Sequence, residues 1–172
     1  VADGVFGVEI VTPEQSILAG GATSVVLTNS EGDLTVLDGH TALVSDVTPC
    51  ETRVEQADGT TVRLAVHGGF LQVDTSPGAA EGLAEGDGPL PGLSTKVTVL
   101  AGIAELSDQI DVPRAQAAKE AAEARVAELS SGRGSGTDHG DSDAAPDAEL
   151  VEAEAALVRA ELRLVVAAGS ND

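Results

Sequence analysis

The arginines are the residues whose type and spacing could most readily do chemistry. The chain has seven, and Arg159 and Arg163 stand four apart in an Ala/Glu/Leu text of helical period, which sets them on one helix face. Arg114 lies 15 residues before Leu129, and Leu164 lies 15 after Glu149. In an antiparallel helix pair of equal rise, Arg114 therefore faces the level of Arg159 and Arg163. Three guanidinium groups then converge at one end of the pair, in a chain of net charge −20. Their forks match the oxygens of a polyphosphate. Ion pairing with Glu161, Glu154 or Glu120, with Asp111 as a plain N-cap, accounts for the same pattern, and spacing alone leaves both accounts open.

No other group of residues points as clearly to chemistry. His40, His67 and His139 match no common zinc spacing, so no metal is expected. His40 follows Asp38-Gly39 and reads as a turn or surface residue. No Ser/His/Asp or Cys/His arrangement has local support, and carboxylate pairs carry no information in a chain with 29 acidic residues, so an enzyme is not expected. Cys50 stands alone after Pro49 in a strand-like run. It reads as a small buried thiol in a reducing compartment. With 9 basic residues and no Trp or Tyr, nucleic-acid binding lacks both a basic face and stacking groups; the charge reads as solubility. No signal-peptide pattern or membrane-length apolar run is legible. The chain starts at Val1 and contains no Met, so loss of an initiator is expected.

The elements that must position these residues change character near Ile110. Before it, Val, Thr and Gly alternate with turn signals; after it, Ala115, Ala118, Ala122, Val126 and Leu129 recur at helical spacing, a switch from period two to period 3.6. Phe6, Val8 and Ile10 mark a half-buried strand. Further strands are expected over 16–19, 23–28, 33–37, 50–56, 60–66, 70–73 and 96–101, with Asp58-Gly59 as the strongest hairpin signal. Segment 75–95 has five Gly and three Pro and reads as a surface loop. Gly68-Gly69 reads as a tight turn or a close backbone approach. Asp111 and Pro113 open a first helix running to about Leu129. A second covers 149–168, with Leu150, Leu157 and Leu164 as a seam. The fold class is mainly β plus α: an N-terminal antiparallel β-sandwich of about ten strands over 1–107, then a C-terminal antiparallel two-helix hairpin over 108–172 with a flexible connector at 130–147. The alanine-rich hairpin hides little apolar surface and should dock on the sandwich or on another protein.

Four stretches in this order resemble the epsilon subunit of bacterial F-type ATP synthases. Ser30-Glu31-Gly32-Asp33-Leu34 with Asp38-Gly39-His40-Thr41-Ala42-Leu43 is similar to the family's S-E-G-E-L…P-G-H-A-P-L segment, with Asp38 and Thr41 where Pro is common. Val66 to Val73 resembles its G-G-F/I-L-E-V strand, Val97 to Leu100 its V-T-V-L strand, and Ile110-Asp111-Val112-Pro113-Arg114-Ala115 its I/L-D-x-x-R-A helix start. The resemblance implies a non-catalytic rotor subunit on the cytoplasmic face of the membrane, peripheral to it. It implies partnership with the gamma subunit and the c-ring, and with the catalytic beta subunits when the hairpin extends to inhibit ATP hydrolysis. It makes Asp33 a candidate c-ring contact and His40 a candidate gamma contact. No cofactor is required, but some family members bind regulatory ATP. By that resemblance Ile110, Asp111 and Ala115 would meet adenine and ribose, Glu105 would add a polar contact, and Arg114, Arg159 and Arg163 would meet the phosphates. The layout also fits a rival, a free-standing β-sandwich binding module that recruits a partner through its hairpin.

Overall fold

The computed structural model describes residues 4–80, 83–85, 88–89, 93–132 and 148–169. Seven strands form one sheet: β1 (Phe6–Val11), β2 (Ser16–Asn29), β3 (Gly32–Val36), β4 (Leu43–Gln56), β5 (Thr61–Asp74), β8 (Lys96–Ala101) and β9 (Ala104–Leu106). Two short strands, β6 (Ala84–Glu85) and β7 (Gly88–Pro89), pair with each other. The order β1-β8-β5-β4-β2-β3 is closed by a second pairing of β1, to β2. The sandwich is thus a flattened barrel. β1 runs parallel to β8 and antiparallel to β2. Phe6, Val8 and Ile10 point inward from β1 and meet Val25, Leu27, Val54, Leu64, Leu71, Val97 and Val99 in an aliphatic core. Period-two alternation places these residues together because successive side chains take opposite faces of the sheet.

The strand count is nine among the described residues rather than about ten, because expected pieces fuse. Gly20-Gly21 do not break β2; both lie within its ladder to β1. Gly68-Gly69 do not end β5 either. β5 pairs with β9 through Leu64–Val66 and then with β8 through Gly69–Asp74. The chain from β8 to β9 crosses it where the glycines lie. The Gly68 carbonyl accepts from the Gly102 N–H, and the His67 N–H donates to the Ile103 carbonyl. At Gly69, with φ 153°, an added Cβ would sit 2.1 Å from the Leu100 carbonyl oxygen. The close backbone approach is real, and only glycine allows it. The alternation also reverses here, with the register to β4 unshifted: Leu64 and Val66 face the core before the glycines, Leu71 and Val73 after them.

Segment 75–95 is more than a surface loop. Ala80, Leu83 and Leu93 are buried and pack with Val5 in a satellite cluster. Thr95 is buried too, and its hydroxyl accepts from the Gly39 N–H at 3.4 Å. Apolar periodicity is absent because these anchors are spread among turns.

The hairpin consists of α1 (Val112–Gly132) and α2 (Ala148–Ala168). Asp111 caps α1: its Oδ1 accepts from the Arg114 N–H at 3.0 Å. Residues 130–132, assigned to the connector from sequence, continue α1; the rest of that connector lies outside the described residues. Ala115 and Ala122 of α1 and Ala153 and Ala160 of α2 are buried, each pair seven apart. The seam is therefore built on alanine, with the expected Leu150, Leu157 and Leu164 only half-buried at its side. Lys119 bridges to Glu161 at 3.2 Å and Arg125 to Glu149, both across the helices.

The packing of 75–95 is testable at Gly7. A Cβ there would lie 2.7 Å from Ala80 Cβ and 2.8 Å from Leu83 Cδ1. Gly7→Ala should cost about 1–3 kcal/mol through overpacking, read as a lowered thermal midpoint. An unchanged midpoint would mean that the segment does not press on β1.

Candidate functional site

The site is built where the hairpin lands on the barrel. On β5, Arg63, Ala65 and His67 take the outer face while Leu64 and Val66 take the core. Ala65 is fully buried yet lies outside the main core cluster; α2 covers it, packed on β4 and β5. Directly beside Ala65 stand Glu51 of β4 and Glu105 of β9. A small residue ringed by charged ones is what a helix needs in order to approach a sheet closely and still be tied to it.

Two ties are visible. Arg163 of α2 makes a two-bond fork to Glu105, Nε to Oε2 at 2.8 Å and Nη2 to Oε1 at 2.7 Å. The side chains are about a quarter and a third exposed. The fork, more than any other cause, holds the Glu105 carboxyl below the usual range and raises Arg163. At the end of α2, an added Cβ on Gly169 would lie 2.3 Å from Arg63 Nη1. The Arg63 guanidinium, bound to Glu51 at 3.0 Å, is thus packed under the helix C-terminus, the end that favours a cation.

Beside the fork opens a cavity of about 330 Å³ lined by Glu105, Gln109, Asp111, Arg114, Ala115, Ala118 and Arg163. Five of the seven residues singled out as a nucleotide site are therefore gathered here. Ile110 and Arg159 do not line it. Arg159 binds Glu152 of its own helix at 2.7 Å and acts on His67 electrostatically together with Arg163. Among the described residues none of the acceptors expected for these arginines binds one of them: Glu161 goes to Lys119, and Glu120 accepts from Gln116. Arg114 projects from an exposed position, with no hydrogen bond or ion pair to its guanidinium among the described residues. Gln109 and Ala118 were not foreseen, because the short 3-10 turn over Ser107–Gln109 that carries Gln109 in leaves no periodic signal.

His67, within electrostatic reach of Arg163 and Glu105, has both ring nitrogens buried and without a hydrogen-bond partner among the described residues. Burial first, and Arg163 second, push its pKa below the ordinary value. It also edges a second groove of about 710 Å³ floored by Gly68, Gly69 and Gly102 and walled by Val11, Pro13, Phe70 and Leu100. Val44, Phe70 and Leu100 are 73%, 60% and 49% exposed. Register puts Phe70 opposite Leu100, and Gln72, two along, opposite Val44. This apolar outer patch was missed from sequence, since the reversal at Gly68-Gly69 turns Phe70 outward.

The two expected interface residues lie elsewhere. Asp33 is exposed on β3, its Oδ1 accepting from Thr28 Oγ1 at 2.9 Å. The Ser30-Glu31-Gly32 turn beside it is tied to β4 by Asp46, which accepts from the Ser30 N–H at 3.1 Å and hydroxyl at 3.0 Å. His40 is half-buried in a turn, its Nδ1 donating to the Thr41 carbonyl at 2.8 Å. His139 lies outside the described residues. Among the described residues no three His, Cys, Asp or Glu side chains gather to hold a metal, and no helix is long and apolar enough to cross a membrane.

Comparison with known proteins covers both parts of the chain. Residues 5–77 match the family model of the ATP synthase, Delta/Epsilon chain, beta-sandwich domain. Residues 108–168 match that of the ATP synthase, Delta/Epsilon chain, long alpha-helix domain. An ATP synthase epsilon chain of Desulforapulum autotrophicum is 36% identical over 96% of this chain and 97% of its own length. One from Brevibacillus brevis is 36% identical over 70% of this chain and 77% of its own. Among solved structures, a chain of the Euglena gracilis mitochondrial ATP synthase, OSCP/F1/c-ring, has the same fold, with a TM-score of 0.63 and 20% identity over 91% of this chain and 78% of its own.

The burial of His67 gives a pH dependence of definite sign. Its pKa lies below the ordinary 6.5 in the folded chain, so the unfolded chain takes the proton first as pH falls. Stability should therefore drop as pH falls from 6.5 toward the folded value. Between about pH 7.5 and pH 5.5, the thermal midpoint of the native chain should fall more than that of His67→Leu. Equal slopes would show that the ring is protonated at no cost.

Proposed function

The chain belongs to the ATP synthase delta/epsilon family as an epsilon chain, and on that footing we propose that it works in the enzyme's central stalk. There it couples proton-driven rotation to ATP synthesis and restrains ATP hydrolysis through its hairpin. It is non-catalytic and sits peripherally on the cytoplasmic face of the membrane complex. The observation that carries the regulatory part is the docking of α2: one helix held on the barrel over a small residue by two arginine contacts. Such a face hides little apolar area, and helix packing of this kind can be exchanged for another partner at low cost. The catalytic beta subunits are that partner when the hairpin extends. The exposed Val44, Phe70 and Leu100 patch and His40 serve the gamma subunit, and the Asp46-braced turn with Asp33 serves the c-ring. The free-standing binding module is not favoured, since the family match runs through both domains.

The cavity at the foot of the hairpin suits regulatory ATP. Arg114 carries a guanidinium without a partner among the described residues, and Arg163 lines the same space. Ala115 and Ala118 give an apolar wall, with Asp111 and Gln109 as polar neighbours. Ile110, Asp111 and Ala115 would lie along the base and ribose, and Arg114, Arg159 and Arg163 along the phosphates. A chain of net charge −20 repels ATP at a distance, so binding rests on short-range forks rather than general attraction. A nucleotide that binds only the folded hairpin stabilises it by about 2.7 kcal/mol at a hundredfold excess over its dissociation constant.

Two measurements test this. Ending the chain after Ser107 keeps every ladder of the main sheet, so the truncated subunit should still bind gamma, and the assembled enzyme should hydrolyse ATP faster. Unchanged hydrolysis would make this member a coupling piece only. In calorimetry, Arg114→Ala should weaken ATP binding about tenfold relative to Arg53→Ala, an arginine on the barrel. Like behaviour of the two variants would remove the site.

A further inference from the structure

We propose that His67 is an acid-sensitive release for the hairpin: a proton taken up by its ring puts another cation beneath α2 and loosens the helix from the barrel. This rests on the reading above, that a hairpin leaving the barrel restrains ATP hydrolysis, and it adds a signal that prompts the release.

The ring sits where helix and sheet meet. His67 follows Ala65 on the outer face of β5, the strand over which α2 packs. Both ring nitrogens are buried, with no hydrogen-bond partner among the described residues. A neutral imidazole tolerates that at some cost. An imidazolium tolerates it far less, because it carries two N–H donors and a charge that a dry site neither hydrates nor pairs.

The charges around the ring come from each element packed there. α2 contributes Arg163 and Arg159, both of which disfavour a proton on the ring, and β9 contributes Glu105, which favours one. Glu105 is already committed, since Arg163 takes both of its oxygens. On β4 the residue paired with His67 is Pro49, and Glu51, two along, is bound to Arg63. The groove that His67 edges is otherwise lined by uncharged residues. Asp111 and Arg114, at the start of α1, stand on the cavity wall beyond the fork. No carboxylate is left to receive the ring's protons, and two guanidinium groups of α2 oppose them.

Release then follows from the difference between the two states of the hairpin. With α2 lifted, the ring meets water and both arginines leave with the helix, so the undocked chain takes the proton more readily than the docked one. Burial first and Arg163 second hold the docked ring below the ordinary histidine value. Docking is therefore intact above that ordinary value and weakens as pH falls from it toward the docked one. Glu105 is held below the usual carboxylate range, chiefly by its bond to Arg163. It stays ionised through this window, and the change belongs to the histidine.

Amide exchange of the full chain without nucleotide tests this, each rate being divided by the intrinsic rate at its pH. The α2 amides should be less protected than those of the barrel strands. Between about pH 7.5 and pH 5.5, their protection should fall more steeply in the native chain than in His67→Leu. That variant keeps His40 and His139, so any slope they cause stays in the comparison, and reading slopes rather than levels sets aside a change of packing. Arg159→Gln removes one cation from α2 and leaves the barrel as it is; in it the His67 ring, followed by NMR, should titrate at a higher pH than in the native chain. Equal slopes in the native chain and His67→Leu overturn the proposal. So does α2 protection equal to that of the barrel, since the ring then reports global unfolding alone. An unchanged titration in Arg159→Gln overturns it as well, because the ring then lies outside the field of the helix. In the assembled enzyme, lowering the pH should restrain ATP hydrolysis more with the native chain than with His67→Leu. If exchange shows the release and hydrolysis does not follow it, the switch stands and inhibition by the hairpin is the reading that fails.

Discussion

The docking of the hairpin depends on the burial of one small side chain, Ala65. A sheet presents its outer face to water unless another element covers it. Here the cover is α2, packed on β4 and β5 over a fully buried alanine. A larger residue would lift the helix and pull Arg163 away from Glu105 and the helix end away from Arg63. Because the apolar contact is so small, the charged ring around it decides whether the helix stays. Docking is set by a few directional ion pairs at the edge of a dry spot, which is the reverse of the barrel's own core. There Phe6, Ile10, Leu27, Leu64 and Leu71 are fully buried and no charge takes part.

The legibility of the fold follows from how local each signal is. Strands appear where inward Val, Leu and Ile alternate, and that alternation is a property of consecutive residues. Helix α1 begins at Asp111 because a cap is a four-residue event. What sequence could not give is how separate runs join. Gly20-Gly21 separated two expected strands and Gly68-Gly69 read as a tight turn or a close approach, yet the chain passes through both as continuous strand, because neighbouring strands pair with it on both sides of each pair. The buried Ala80, Leu83 and Leu93 lacked any period, since a satellite core assembled from turns has none.

The candidate site was legible to the extent that helix geometry is arithmetic. Counting back from the turn puts Arg114 at the level of Arg163, and both line one cavity with Asp111 and Ala115. Glu105 was foreseen as a member of the site through resemblance alone. Its bond to Arg163 joins residues 58 apart in the chain and depends on α2 lying over β5, which no local pattern encodes. His67 shows the same limit: its burial follows from the helix above it and the reversal of alternation beside it. Phe70 turned outward for that second reason.

The double pairing of β1 has a mechanical meaning. A strand at the edge of an open sheet can be peeled away one bond at a time. β1 is gripped by β2 on one side and β8 on the other, in opposite directions. To slide it along its axis, both ladders must be broken together. A load applied at the Ser30 turn is carried through Asp46 into β4, and from there around a closed ring of strands with no free seam at which to tear. The barrel is therefore a ring that resists shear along β1, while the hairpin is held on its flank by a few side-chain contacts alone.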